Sequence, residues 1–164
     1  MLKIGLLSDT HAYWDEKYAE YFKNCDEIWH AGDIGSDLVA AKLALLKPLR
    51  AVYGNIDGQS LRLQYPKIAH FTAEEVEVMM THIGGYPGRY SPEIRKELYD
   101  TRPNLFIAGH SHILKVAFDK HLNCLHINPG AAGKSGFHQV RTLVRFAIDG
   151  KNIHDLEVIE LGSR

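Results

Sequence analysis

The sequence predicts an α/β fold with parallel strand pairing, and three observations predict it. Over residues 4–53, short apolar runs alternate with amphipathic stretches in a strand, helix, strand, helix, strand rhythm, which argues for parallel strands joined by crossover helices. Beyond residue 68 the signals turn to hairpins and antiparallel pairs. Five of the apolar runs end in a small set of metal-competent residues, and ligands of open α/β sheets gather just beyond the carboxyl ends of strands.

The elements follow in order. Ile4 to Leu7 is too short for a helix and suits a buried strand. It stops at Ser8, and Asp9 and His11 follow with Thr10 between them. Trp14 to Asn24 carries Tyr18, Ala19, Tyr21 and Phe22 among Glu and Lys, an amphipathic helix. Glu27 to Ala31 is a second strand ending in Gly32-Asp33. Ser36 caps a helix over Asp37 to Leu46, and Pro48 punctuates its end. Leu49 to Tyr53 is a third strand, ending in Gly54-Asn55.

Ile68 to Thr72 and Val76 to Thr81 form a hairpin ending at His82. A Gly- and Pro-rich loop, Ile83 to Ser91, leads to a helix opened by Pro92 and reaching Tyr99. Leu105 to Ala108 is a short buried strand terminated by Gly109-His110-Ser111-His112. Leu114 to Asp119 pairs with Leu122 to Ile127, and Asp149-Gly150 turns Leu143–Ile148 into Ile153–Leu161.

At 164 residues the chain is expected to form one domain, residues 1–164. Such a length buries about two-thirds of its unfolded surface and needs no disulfide staples. Cys25 and Cys124 show no CxxC pattern and read as reduced packing thiols. A net charge of -1 provides no basic field, so no stable nucleic-acid complex is expected. No apolar run approaches the roughly 18 residues needed to span a bilayer, and Asp9 and His11 interrupt the start too early for a signal peptide. The expectation is a cytoplasmic protein without a membrane partner; homo-oligomerisation is left open.

The five strand-end segments supply Asp9, His11, Asp33, Asn55, His82, His110 and His112, with Asp57 in reserve. Mixed nitrogen and oxygen donors suit Mn, Fe, Zn, Co or Ni better than Ca. Singly, each segment is ordinary. A Gly-Asp or Gly-Asn after a strand usually makes a turn. Five at one structural position point to a shared cation site.

The order Asp-x-His, Gly-Asp, Gly-Asn, His, Gly-His-x-His resembles the calcineurin-like metallophosphoesterases, and with Asn128-Pro129-Gly130 it is similar to their compact bacterial and archaeal phosphodiesterase branch, a branch related to the retromer scaffold subunit. The resemblance spans Ile4 to Gly130. It implies a four-layer α/β/β/α sandwich, two mixed sheets packed face to face with helices outside. It also implies one metal ion held by Asp9, His11, Asp33 and His112, and another by Asp33, Asn55, His82 and His110. Asp33 bridges the two, and all seven residues belong to the catalytic centre. Two divalent ions about 3.5–4 Å apart activate a hydroxide nucleophile and stabilise the phosphoryl transition state. Manganese is the first expectation, with Zn, Fe, Ni or Co as alternatives, and a small phosphodiester is the expected substrate.

Many relatives carry a histidine directly after the motif asparagine, where this chain has Ile56, which cannot donate a proton. Asp57 is expected to support the site from behind the ligands, or simply to form the turn. His30 is expected to point into the sheet packing, and His70, His121, His126, His138 and His154 to be surface or packing residues. Arg89 reads as solvated loop charge before it reads as a phosphate clamp. Asn128-Pro129-Gly130 is expected to shape a turn near the site. The competing functions are a protein-interaction scaffold on the same fold, which has no need of seven ligands, and a nuclease, disfavoured by the balanced charge.

Overall fold

The computed structural model describes all 164 residues. Its first sheet joins β1 (Leu2–Leu7), β2 (Glu27–His30), β3 (Leu49–Ala51) and the C-terminal hairpin β11 (Val140–Asp149) and β12 (Asn152–Ser163), in the order β12-β11-β1-β2-β3. β1, β2 and β3 are parallel, as the crossover rhythm requires. β11 then covers the free edge of β1 antiparallel, with Leu2 opposite Ile148 and Leu6 opposite Val144.

The second sheet runs β4-β5-β8-β10-β9, from β4 (Ile68–Ala73), β5 (Val76–Thr81), β8 (Leu105–Ile107), β9 (Lys115–Asp119) and β10 (Cys124–Asn128). The expected hairpins are present, β4 with β5 and β9 with β10. β8 lies parallel to both β5 and β10, so this sheet is mixed too. The loop after His82 holds a small hairpin of its own, β6 (Gly85–Tyr86) against β7 (Arg89–Tyr90).

The four layers follow from where apolar side chains go. Between the sheets, Ile4, Leu6, Trp29 and Phe146 meet Val78, Met80, Leu105, Ile107 and Ile127. On the outer face of the first sheet, Leu7 and Ile28 pack under Tyr18 and Phe22 of α1 (Glu16–Phe22), Val39 and Leu43 of α2 (Asp37–Leu46) and Leu61 of α3 (Gln59–Gln64). On the outer face of the second, Met79, Phe106 and Cys124 pack under Ile94 and Leu98 of α4 (Pro92–Thr101). The structure is the expected α/β/β/α sandwich. No helix is long and apolar enough to cross a membrane.

Local chemistry sets the element ends. Ser36 accepts the Val39 N–H and starts α2, as expected. α1 begins two residues later than the periodicity predicts, because Asp15 accepts the Lys17 N–H and so becomes its cap. α3 has no such signal: Gly58 precedes it without a side-chain cap. Cys25 and Cys124 are both buried free thiols.

Candidate metal centre

β1, β2 and β3 end together on one sheet, β5 and β8 on the other, and the segments beyond these ends are stitched to one another. Asp9 N–H donates to Gly32 O at 3.0 Å, His11 N–H to Asp33 O at 3.0 Å, and Gly109 N–H to His82 O at 2.9 Å. Across the sheets, the His82 Nδ1–H donates to Ala31 O at 2.8 Å. Asp9, His11, Asp33, His110 and His112 all sit in the left-handed region, with φ of 55°, 45°, 54°, 72° and 62°. Non-glycine residues rarely adopt it, and clusters of such strain mark functional sites.

Two groups form, Asp9 with His11 and His112, and Asp33 with His82 and His110, each able to converge on one ion. Each carboxylate divides its work. Asp9 Oδ2 accepts the Ser8 hydroxyl at 2.7 Å and the His110 N–H at 3.1 Å. Its Oδ1 faces His112 Nε2 at 3.1 Å and the Nε2 atoms of His11 and His82, both at 3.7 Å. Asp33 Oδ1 accepts the Ile56 N–H at 3.0 Å. Its Oδ2 faces His82 Nε2 at 3.1 Å and His11 Nε2 at 3.3 Å, one ring from each group.

A divalent cation fits this donor set. His11 Nε2 and His82 Nε2 are buried without a hydrogen-bond partner, although each points at carboxylate oxygens. Because the His82 proton sits on Nδ1 toward Ala31, its Nε2 in the neutral ring is a bare lone pair facing anions. Either a second proton or a metal ion must separate them. Electrostatics agree: burial opposes ionisation of Asp9, yet His11, His112, His82 and the Ser8 hydroxyl hold its carboxyl well below the usual range. Contact with Asp9 raises His11, and Asp33 and Asp9 raise His82 against its burial. His110 moves down through burial and the neighbouring His82.

Asn55 is exposed beside this cluster and lines a cavity of about 230 Å³ with His82, Arg62 and Lys67. Gly54 before it passes so close to Asp33 that a Cβ would collide with the carboxylate. A second cavity of about 430 Å³ lies on the other flank, lined by His110, Ser111, Tyr86, Lys115, His126 and Asn128 among others. The largest cavity, about 530 Å³, lies beside Cys25 and Arg145 and touches none of the seven residues.

The supporting residues fall as follows. Asp57 is buried and accepts N–H groups from Ile34 at 3.2 Å, Gly35 at 2.8 Å and Gly54 at 2.8 Å, tying the loops after β2 and β3 together. Asn128 donates to Gly109 O at 3.0 Å and to Ser111 Oγ at 3.1 Å, shaping the turn that carries His110. His30 is fully buried and satisfied by Thr10 and the Gly32 N–H, as its packing role requires. Arg89 is exposed on β7 and lines neither flanking cavity.

Two residues escape the sequence reading. Arg62 donates to Asp57 O at 2.6 Å and Asn55 O at 3.2 Å and stacks on Tyr53, clamping the Asn55 turn. It stands on the uncapped helix α3, so no sequence signal marks it. His138, read as surface or packing, lies 3.2 Å from His112 Nδ1. A contact across an irregular loop leaves no periodic trace.

A two-sheet sandwich with carboxylates and imidazoles gathered beyond its strand ends defines a metal-binding hydrolase class. Residues 2–151 match the calcineurin-like phosphoesterase superfamily domain, and the chain belongs to that family, the metallophosphoesterases. A probable metallophosphoesterase of Methanothermobacter thermautotrophicus is 28% identical, with 98% of this chain and 93% of that protein covered. An archaeal phosphodiesterase superposes with a TM-score of 0.79 at 23% identity, covering 98% of this chain and 100% of that one. Vps29 of Entamoeba histolytica, solved in complex with zinc, superposes with a TM-score of 0.76 at 13% identity, over 97% and 99% of the two chains.

Proposed function

We propose that the protein is a dinuclear phosphodiesterase, with one divalent ion held by Asp9, His11, Asp33 and His112 and the other by Asp33, Asn55, His82 and His110. The observation that carries this reading is Asp33 Oδ2, which faces one ring from each group at 3.1 and 3.3 Å. When bound, two such ions supply Lewis-acid stabilisation of the phosphoryl group and a nucleophile derived from water at neutral pH. The chain's own part is to fix that geometry. Ser8 and the His110 amide hold Asp9, the Ile56 amide holds Asp33, and Ala31 orients His82. The flanking cavities leave room for a group on either side of a small diester.

Ile56 is 48% exposed at the edge of the centre and offers no proton to a leaving oxygen. General acid catalysis contributes about 10²–10⁴-fold, so its absence favours leaving groups that need no proton. The test is metal-reconstituted turnover, Mn first, on diesters of graded leaving-group pKa. Two ions per chain and a steep series favouring aryl diesters are expected. At most one ion under saturating Mn would overturn the dinuclear reading, and a flat series with rate-limiting chemistry would reveal another donor.

A second reading is a protein-interaction scaffold, favoured by Ile113, Val116 and Phe118, exposed on and beside the edge strand β9. Metal-dependent turnover separates the two.

A further inference from the structure

We propose that His138 is a positioning residue that sets the protonation pattern of His112 and so supports one ion of the pair selectively. The inference rests on the reading that His112 is a metal ligand. Its own basis is a chain of hydrogen bonds. His138 Nε2 lies 2.8 Å from Gly133 O. A carbonyl only accepts, so Nε2 carries the His138 proton and Nδ1 of the neutral ring is left as an acceptor. His112 Nδ1 lies 3.2 Å from that acceptor. His112 therefore carries a proton on Nδ1, which leaves its Nε2, 3.1 Å from Asp9 Oδ1, as the atom that an ion between them would take.

The relay is keyed to the ligand strand itself. Gly133, whose carbonyl orients His138, donates its own N–H to Asp9 O at 3.0 Å. The loop between Gly133 and His138 closes over the two rings at Gly136, where φ is +127° and a Cβ would collide with the His112 ring. The rings meet edge to face, 5.1 Å between centroids at 79°, and His11 packs edge-on against His112 at 5.4 Å. His82 receives the same orientation from a backbone carbonyl, Ala31 O. The two groups thus use the same device, one built from main chain and the other from a side chain.

Partners of this kind contribute about 10–100-fold to metal affinity. Calorimetric titration with Mn should show His138→Phe weakening one of two sites by about that factor, with the other unchanged. His138→Gln, whose amide oxygen can accept from His112 Nδ1, should keep most of the affinity. Unchanged affinity in His138→Phe, or equal loss in both variants, would overturn the proposal. Nitrogen-15 NMR of the metal-free native protein gives a readout independent of metal and of any variant's folding. A proton on His112 Nδ1 is expected, whether or not Nε2 also carries one toward Asp9, and a bare Nδ1 would overturn the inference. Failure of the native protein to bind any ion would instead sink the metal reading, while the NMR result still decides the role of His138.

Discussion

The Asp33 group and the Asp9 group hold similar side chains by different means. Asp33 is fixed by the Ile56 amide and His82 by the Ala31 carbonyl, both main chain, and both side chains are buried. Asp9 is equally buried, but its support includes the Ser8 hydroxyl, and its partners His11 and His112 are only half-buried. Main-chain supports persist through any substitution that spares the strand, whereas side-chain supports can be removed one at a time. The second group is therefore the adjustable one.

The sharpest way to break this distinction is Asp33→Asn. Because Asp33 faces rings of both groups, loss of both ions and a fall in kcat/KM beyond the roughly 10–100-fold of a supporting residue are expected. His112→Ala should chiefly weaken one ion. Elemental analysis decides, and loss of one ion from Asp33→Asn would make the groups independent.

Asp57→Ala comes next. Three amides lose their buried acceptor, and each unsatisfied buried donor costs about 1–3 kcal/mol. Urea unfolding of the metal-free protein should show a loss of about 3 kcal/mol or more, with affinity falling first in the Asp33 group, whose loops Asp57 ties. No loss of stability would show that those loops hold without it.

The smallest expected effect concerns pH. Burial lowers both His30 and His126 to about 4. With folded values below the unfolded 6.5, the unfolded chain binds more protons between the two, so their contribution is complete above pH 6.5 and is lost toward pH 4. His11 and His82 are raised, so in the metal-free protein their contribution has the opposite sign and is lost as pH rises. The difference between native protein and His126→Leu isolates one buried ring. The variant's urea midpoint should fall less from pH 6.5 to 4.5, by about 1–2 kcal/mol equivalent. Parallel pH profiles would mean His126 takes up a proton without resistance.

Much of this was legible in the sequence where period and punctuation coincide. The apolar run before Asp9 and the cap at Ser36 appear as expected. So does the meeting of strand ends, since parallel strands bring their carboxyl ends to one edge by geometry alone. The C-terminal hairpin turns one residue later than expected, at Gly150-Lys151, because Asp149 still pairs with Asn152. What escaped depends on tertiary contact. The antiparallel docking of β11 on β1 joins segments with no local signal between them. The left-handed backbone of Asp9 and His112, a region uncommon for any residue but glycine, is set by neighbours distant in sequence. Arg62 and His138 act through carbonyls and rings that lie far away in sequence or in irregular loops.

The place of β1 has a consequence for how the molecule is made. It sits in mid-sheet, flanked by β2, which starts at Glu27, and by β11, which starts at Val140. A nascent chain emerging from the ribosome therefore carries β1 with one edge unpaired until β11 has been synthesised. Open strand edges are templates for wrong partners, and pairings of such sequence separation form slowly. Truncations before Val140 should consequently aggregate, even though they contain every candidate ligand.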